Sequence, residues 1–311
     1  MINEERIFID TDIKIGATIA YKDKEVKRPL VLLIAGTGSM DRDGNSIAIK
    51  TNIYKYLSDL FVELGFVCIR YDKRATHESK AKMSTHTLEA LVNDAAHIIY
   101  ETKKLDYVDE ERIVVCGHSE GAMITTLLTK ETALKGIILL SGACTSLKDA
   151  MIDQNYLLLE EVKNMKGILG WYLRKVLKEE TIMNQINGIF DKAKESKKDM
   201  FFYRGSFMPT DYIKQHEALT KEDYIEMLKA YKGEILAITG KKDVQASYKY
   251  LEPIQDLENV TISTPDNMTH MLRDTTDPIS ILNIQKEYAK QGKEPLSKEL
   301  KLSIEDWSKR I

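Results

Sequence analysis

Two periodicities divide the chain. In the first 25 residues, through RIFID and IKIGATIAY, apolar and polar positions alternate, which predicts an antiparallel hairpin of edge strands. From residue 30 the alternation gives way to continuous apolar runs: LVLLIAG (30–36), FVCIRYD (66–72), RIVVCG (112–117) and GIILLSG (136–142). Such runs suit strands covered on both faces. Between the runs, apolar residues recur at helical spacing. One set is Ile53, Leu57, Leu60, Phe61 and Leu64, closed by Gly65; another is Leu88, Leu91, Val92, Ala95, Ile98 and Ile99. Strand and helix in alternation predict an α/β fold, a mostly parallel twisted sheet flanked by helices.

The rhythm breaks between about Thr145 and Lys232. Met165, Ile168, Leu169, Tyr172, Leu173, Val176 and Leu177 keep helical spacing, as do Ile182, Met183, Ile186, Ile189 and Phe190, and no comparable strand intervenes. Residues 145–232 therefore read as a helical cap or lid, inserted into a core made of 1–144 and 233–311. Its Trp171, Tyr172, Phe201, Phe202 and Tyr203 would suit the wall of an apolar pocket. The α/β rhythm resumes with EILAITG (234–240) and NVTIST (259–264), and the C-terminal stretch predicts a helix packed on the sheet.

Charge narrows the function. Lys and Arg number 45 and Asp and Glu 48, a formal net charge of −3 across 311 residues. That balance argues against a nucleic-acid partner, which would call for a basic excess. No window is apolar for the ~18 residues a membrane span needs. The N-terminal MINEERIFIDTD is acidic and lacks the apolar core of a signal peptide. Cys68 and Cys116 sit in apolar runs and Cys144 just after one, and no spacing resembles a metal or redox pair. The expectation is a cytoplasmic protein with neither a metal nor an organic cofactor.

One short stretch carries chemistry. Gly117-His118-Ser119-Glu120-Gly121 stands between a buried run and a helix-like segment. A strand-to-helix turn this tight strains its central residue and exposes a serine oxygen at the carboxyl edge of the sheet. Gly117 and Gly121 let strand and helix approach, and Ser119 is the candidate nucleophile. His118, pointing away at such a turn, is expected to be a packing residue. A serine nucleophile needs a base and an orienting carboxylate, in the chain order serine, acid, histidine. Asp243 lies three residues after Gly240, in the loop ending a late strand, and His270 follows the last strand. Asp266 is the alternative acid, on the same loop as His270. His77, His86 and His97 precede the serine, and His216 is expected on the surface of the insertion. The oxyanion of such a reaction needs aimed N–H donors. Glu120 should supply one and Thr37, with Gly38 as the alternative, in the loop IAGTGSMDRDGN after the first buried strand, the other.

Taken together, AGTGSMDRDGN, RYDKR, GHSEG, TGKKDVQ and NMTHML resemble the α/β-hydrolase superfamily over about residues 5–310. The chain is similar in particular to bacterial carboxylesterases near dienelactone-hydrolase-like and acyl-peptidase-like enzymes. The resemblance implies the triad Ser119, Asp243 and His270. It also implies that the segments 41–44 and 71–74 shape the mouth and buttress the elbow, with Asp41, Arg42 and Arg74 in structural ion pairs. Ser39 stands where the group often has proline, and Ala75-Thr76-His77 where it usually has glycines. The implied activity is hydrolysis of a partly apolar small-molecule ester through an acyl-enzyme on Ser119. A peptidase, amidase or acyltransferase would use the same triad, and a non-catalytic ligand-binding protein could use the same scaffold.

Overall fold

The computed structural model describes residues 1–311. Strands β1 (Asn3–Asp10) and β2 (Lys14–Tyr21) form the N-terminal hairpin. Of these two only β1 is an edge strand: β2 also pairs antiparallel with β4 (Val67–Tyr71). Next in the sheet come β3 (Arg28–Ile34), β5 (Val108–His118), β6 (Gly136–Leu140), β9 (Glu234–Ile238) and β10 (Val260–Ser263). The order is β1-β2-β4-β3-β5-β6-β9-β10, and every pairing from β4 onward is parallel.

Helices cover both faces because strand side chains alternate direction. On β3, Leu30, Leu32 and Ile34 enter one core and Val31 and Leu33 the other. The first core packs against α2 (Leu88–Thr102) and α3 (Glu120–Leu128). The second packs against α1 (Ile53–Glu63) and the C-terminal α10 (Lys298–Ser308), whose Trp307 is buried. A Cβ on Gly136 would lie 2.8 Å from the Trp307 ring, so a side chain there would push α10 off the sheet. Cys68, Cys116 and Cys144 are free and buried, as expected of small apolar fillers.

Between β6 and β9 lie α4 (Leu147–Asn164), α5 (Gly167–Val176), α6 (Glu179–Glu195), α7 (Thr210–Glu217) and α8 (Lys221–Ala230). One departure from the helical expectation is a small hairpin, β7 (Met200–Tyr203) with β8 (Ser206–Pro209), turned through Arg204 and Gly205 at positive φ. Ile182, Ile186, Phe190, Phe201 and Ile213 of this segment join the same core as the sheet. α9 (Ile284–Gln291) follows the last strand. No helix is long and apolar enough to cross a membrane.

Candidate active site

The site stands at the carboxyl ends of β3, β5, β6 and β9. Ser119, between β5 and α3, has φ 56° and ψ −121°, a strained conformation that turns the chain within one residue. Its amide donates to the Leu140 carbonyl at 2.8 Å, which ties the turn to β6. Three glycines make the turn possible. A Cβ on Gly117 would lie 2.0 Å from the Gly121 carbonyl oxygen, and one on Gly121 2.1 Å from that of Ile34. A Cβ on Gly142 would lie 2.2 Å from the Ser119 carbonyl oxygen. No side chain fits at any of the three without moving backbone.

Asp243 and His270 are brought together from separate loops. His270 Nδ1 lies 2.9 and 3.1 Å from the two Asp243 carboxylate oxygens. The carboxylate is fixed in turn, because Oδ1 accepts from the amides of Gln245 and Ala246 at 2.8 and 2.9 Å. The two loops meet where Lys242 N–H donates to the Met268 carbonyl at 3.2 Å. That approach needs Gly240, where a Cβ would lie 1.9 Å from the Met268 oxygen. With Nδ1–H donated to Asp243, the remaining ring nitrogen of His270 carries a free lone pair. Asp266, the alternative acid, is exposed and pairs with Lys241 at 2.6 Å instead.

His118 is buried, as expected of a packing residue, but both of its ring nitrogens are engaged. Nε2 lies 2.9 Å from the His270 carbonyl, an acceptor only, so Nε2 carries the proton. Nδ1 therefore accepts from the Tyr54 hydroxyl at 3.0 Å, and that hydroxyl accepts from Gly36 N–H at 2.8 Å. Burial, with the neighbouring His270 adding to it, drives the His118 pKa down to about 3, which keeps the ring neutral. A single chain of hydrogen bonds thus joins the Gly36 loop to the backbone of His270.

Glu120 begins α3, and Thr37 follows β3; both line the same cavity as Ser119 and His270. Neither backbone N–H has a partner within the chain. The Glu120 side chain is buried in a polar cluster that the sequence did not suggest. Its carboxylate accepts from Lys73 Nζ at 2.7 Å and from the Tyr212 hydroxyl. Burial would raise this carboxyl, but the Lys73 ammonium and the neighbouring His216 together outweigh it and hold the group well below its usual range. Tyr212, buried beside that charge, is pushed well above the ordinary phenol range and keeps its proton. His216, expected on the surface, is fully buried here, with Nε2 3.5 Å from Glu120. It sits on the inner face of α7, a position its polar sequence neighbours concealed. The signal for Lys73 was its place in the rim loop directly after a buried strand.

The segments 41–44 and 71–74 hold the rim by charge. Arg42 pairs with Asp72 at 2.7 Å, and Arg74 with Asp94 at 2.7 Å and with Asp12. Asp41 forms no ion pair: its carboxylate accepts from the amides of Asp43 and Asn45 and closes its own loop.

The cavity in front of Ser119 holds about 470 Å³. Met40, Ile53, Met123, Leu147, Met151 and Met271 form its apolar wall; Gln154, Gln245 and Tyr288 line another side. From the segment 145–232 only its first residue, Thr145, and α4 reach this wall, with Leu147, Ala150, Met151 and Gln154. The aromatic residues expected there do not. Phe201 is buried in the core, Phe202 and Phe207 pack on each other at 5.1 Å on the outside, and Trp171 and Tyr172 are exposed.

The family described as Hydrolase_4, serine aminopeptidase S33, matches residues 48–260, more than half of the chain. Esterase EstD of Thermotoga maritima is 26% identical over 249 residues, which cover 78% of this chain and 54% of that protein. The chain therefore spans about half the length of this curated relative. Among solved structures, Est1E from Butyrivibrio proteoclasticus with bound ferulic acid superposes with a TM-score of 0.58 at 19% identity, covering 91% of this chain and 96% of that one. The Pyrococcus furiosus esterase Pf2001 gives 0.59 at 14% identity, covering 99% and 91%. At these identities the structural likeness concerns the fold alone.

Proposed function

The chain belongs to the serine aminopeptidase S33 family and has the α/β-hydrolase fold, and on that premise we propose that it is a serine carboxylesterase. Ser119 attacks the ester carbonyl, and His270, held by Asp243 in the tautomer that frees its second nitrogen, takes the serine proton. The N–H groups of Thr37 and Glu120 hold the oxyanion. Collapse of the tetrahedral species expels the alcohol, protonated by His270, and leaves an acyl group on Ser119. Water, deprotonated by the same histidine, releases the acid and restores the serine.

The observation that carries the ester reading over the family's peptidase name is the charge of the cavity. An aminopeptidase must hold a substrate ammonium, which needs a free carboxylate. Glu120 is the one carboxylate among the 28 lining residues, and Lys73 and Tyr212 already engage it. The site therefore suits an uncharged ester with an apolar portion. The names of EstD, Est1E and Pf2001 support the same class. Residues 145–232 act as a cap on the core 1–144 and 233–311, and α4 is the part of the cap that meets substrate, a reading supported by its lining side chains.

The test sets p-nitrophenyl esters of rising acyl length beside amino-acid p-nitroanilides. Turnover of the esters with little of the anilides is expected. Faster turnover of the anilides than of the esters would replace this reading with the peptidase one.

A further inference from the structure

The peptide bond between Gly36 and Thr37 is held from behind. Lys73 Nζ donates to the Gly36 carbonyl at 2.6 Å and to Glu120 Oε2 at 2.7 Å. Lys73, Glu120 and Tyr212 are all buried, and the Tyr212 hydroxyl donates to the other Glu120 oxygen. The chain has no cis peptide bond. In a trans peptide the C=O and the following N–H point in opposite directions. Fixing the Gly36 oxygen on a buried ammonium therefore aims the Thr37 N–H the other way. Gly36 lies against the nucleophile, since a Cβ there would be 3.0 Å from Ser119 Cβ. Its own N–H is already given to Tyr54, so Thr37 is left as the donor.

We propose that Lys73 is a positioning residue for the oxyanion hole. This inference rests on the esterase reading above. Lys73 sets the plane of the Gly36–Thr37 peptide, and its charge on the carbonyl side polarises that amide in a medium with little screening, which strengthens the N–H as a donor. Glu120 completes the device. Its carboxylate compensates the buried ammonium and keeps it in place, while its own backbone N–H, at the start of α3, is the second donor. One ion pair thus spans the two residues whose amides face the oxyanion. Tyr212, from α7, fixes the ion pair from the side of the inserted segment.

Lys73→Met removes the donor at nearly constant side-chain length. With a p-nitrophenyl ester, kcat should fall by about 10²-fold while KM stays within roughly threefold, as for loss of one oxyanion donor. The Ki of a trifluoromethyl ketone, whose hemiketal oxyanion occupies the hole, should rise by the same factor as kcat falls. Lys73→Arg, which keeps a cation, should recover part of both. If Lys73→Met does not fold because Glu120 is left unpaired, the double variant Lys73→Met/Glu120→Gln removes both charges and should show the same kcat and Ki losses. Unchanged kcat and Ki in a folded variant, or a fall in kcat with unchanged Ki, overturns the positioning role. A wild-type protein that neither turns over esters nor labels with a fluorophosphonate overturns the esterase reading, and the inference with it. Wild-type turnover with an indifferent Lys73 variant overturns the inference alone.

Discussion

At the carboxyl rim of the sheet, a Cβ on Gly117 would sit 2.0 Å from a carbonyl oxygen, whereas on α5 of the inserted segment Ile168 keeps 86% of its surface exposed. The two regions are built under different constraints. Rim residues meet backbone on every side, so their identities follow from sterics: glycine where two chains touch, serine where the turn must present a hydroxyl. α6 meets the core along one stripe, through Ile182, Ile186, Phe190 and Ala193, while α5 leaves Ile168, Leu169, Trp171 and Tyr172 facing outward. Spacing alone tells which residues share a helix face, not what that face touches. The difference teaches that chemistry is concentrated where the backbone leaves no choice.

Substitutions can break or sharpen this contrast. The largest effect is expected at the turn itself. Ser119→Ala should lower kcat on esters by on the order of 10⁶ while the protein stays folded, because the nucleophile is lost and the backbone is not. Residual turnover above about 1% in a purified sample would remove Ser119 from its role. Asp243→Asn should cost about 10⁴ in kcat, since the amide no longer fixes the His270 tautomer; a greater loss from Asp266→Asn would reassign the acid.

Within the inserted segment the contrast predicts a split. Met151→Ala on α4 should shift the ratio of kcat/KM between long and short acyl esters by roughly 1–3 kcal/mol per lost contact. Phe202→Ala, on the outside, should leave that ratio alone, and a shift there equal to that of Met151→Ala would mean the outer hairpin closes over the site.

A further expected effect is one of pH. His118 is neutral in the fold, with its pKa near 3 against about 6.5 when unfolded. The unfolded chain therefore binds the extra proton first as pH falls. The stability tied to the neutral ring is present in full above about pH 6.5, and it declines toward pH 3. The stability advantage of wild type over His118→Asn should shrink steadily as pH falls below 6, read from denaturant melts. Parallel curves for the two proteins would show that the ring takes up its proton as readily in the fold as in the unfolded chain.

The strands were legible in the sequence because a run such as LVLLIAG has no reading except burial on both faces, and β3 fills both cores in alternation. The elbow was legible because glycine at both flanking positions has a steric cause. Asp243 and His270 were legible through the order of the loops they occupy, and the structure brings their side chains together. What escaped was contact between segments far apart in sequence. His216 looked like one more polar residue of α7, and nothing near it announced Glu120 from 96 positions earlier. Lys73 and Tyr212 escaped for the same reason: a buried ion pair is written in two places, and neither half is unusual alone. The small hairpin of β7 and β8 escaped because each strand has four residues, too few for a periodicity to register.

The three free thiols offer a native clock of opening. Burial pushes Cys68 and Cys144 up to about 12, and Cys116 well above the ordinary thiol range. Thiolate, the reactive form, is absent from the closed fold at neutral pH. An alkylating reagent therefore reacts only with molecules that have opened around a given sulfur. Cys116 lies in the central strand leading to the elbow, and its labelling would follow the rarest openings, those that dismantle the sheet. Cys144 follows β6, at the threshold of the inserted segment, and would report separations of that segment from the sheet. The ratio of the two labelling rates would measure how often the segment departs while the sheet behind it holds.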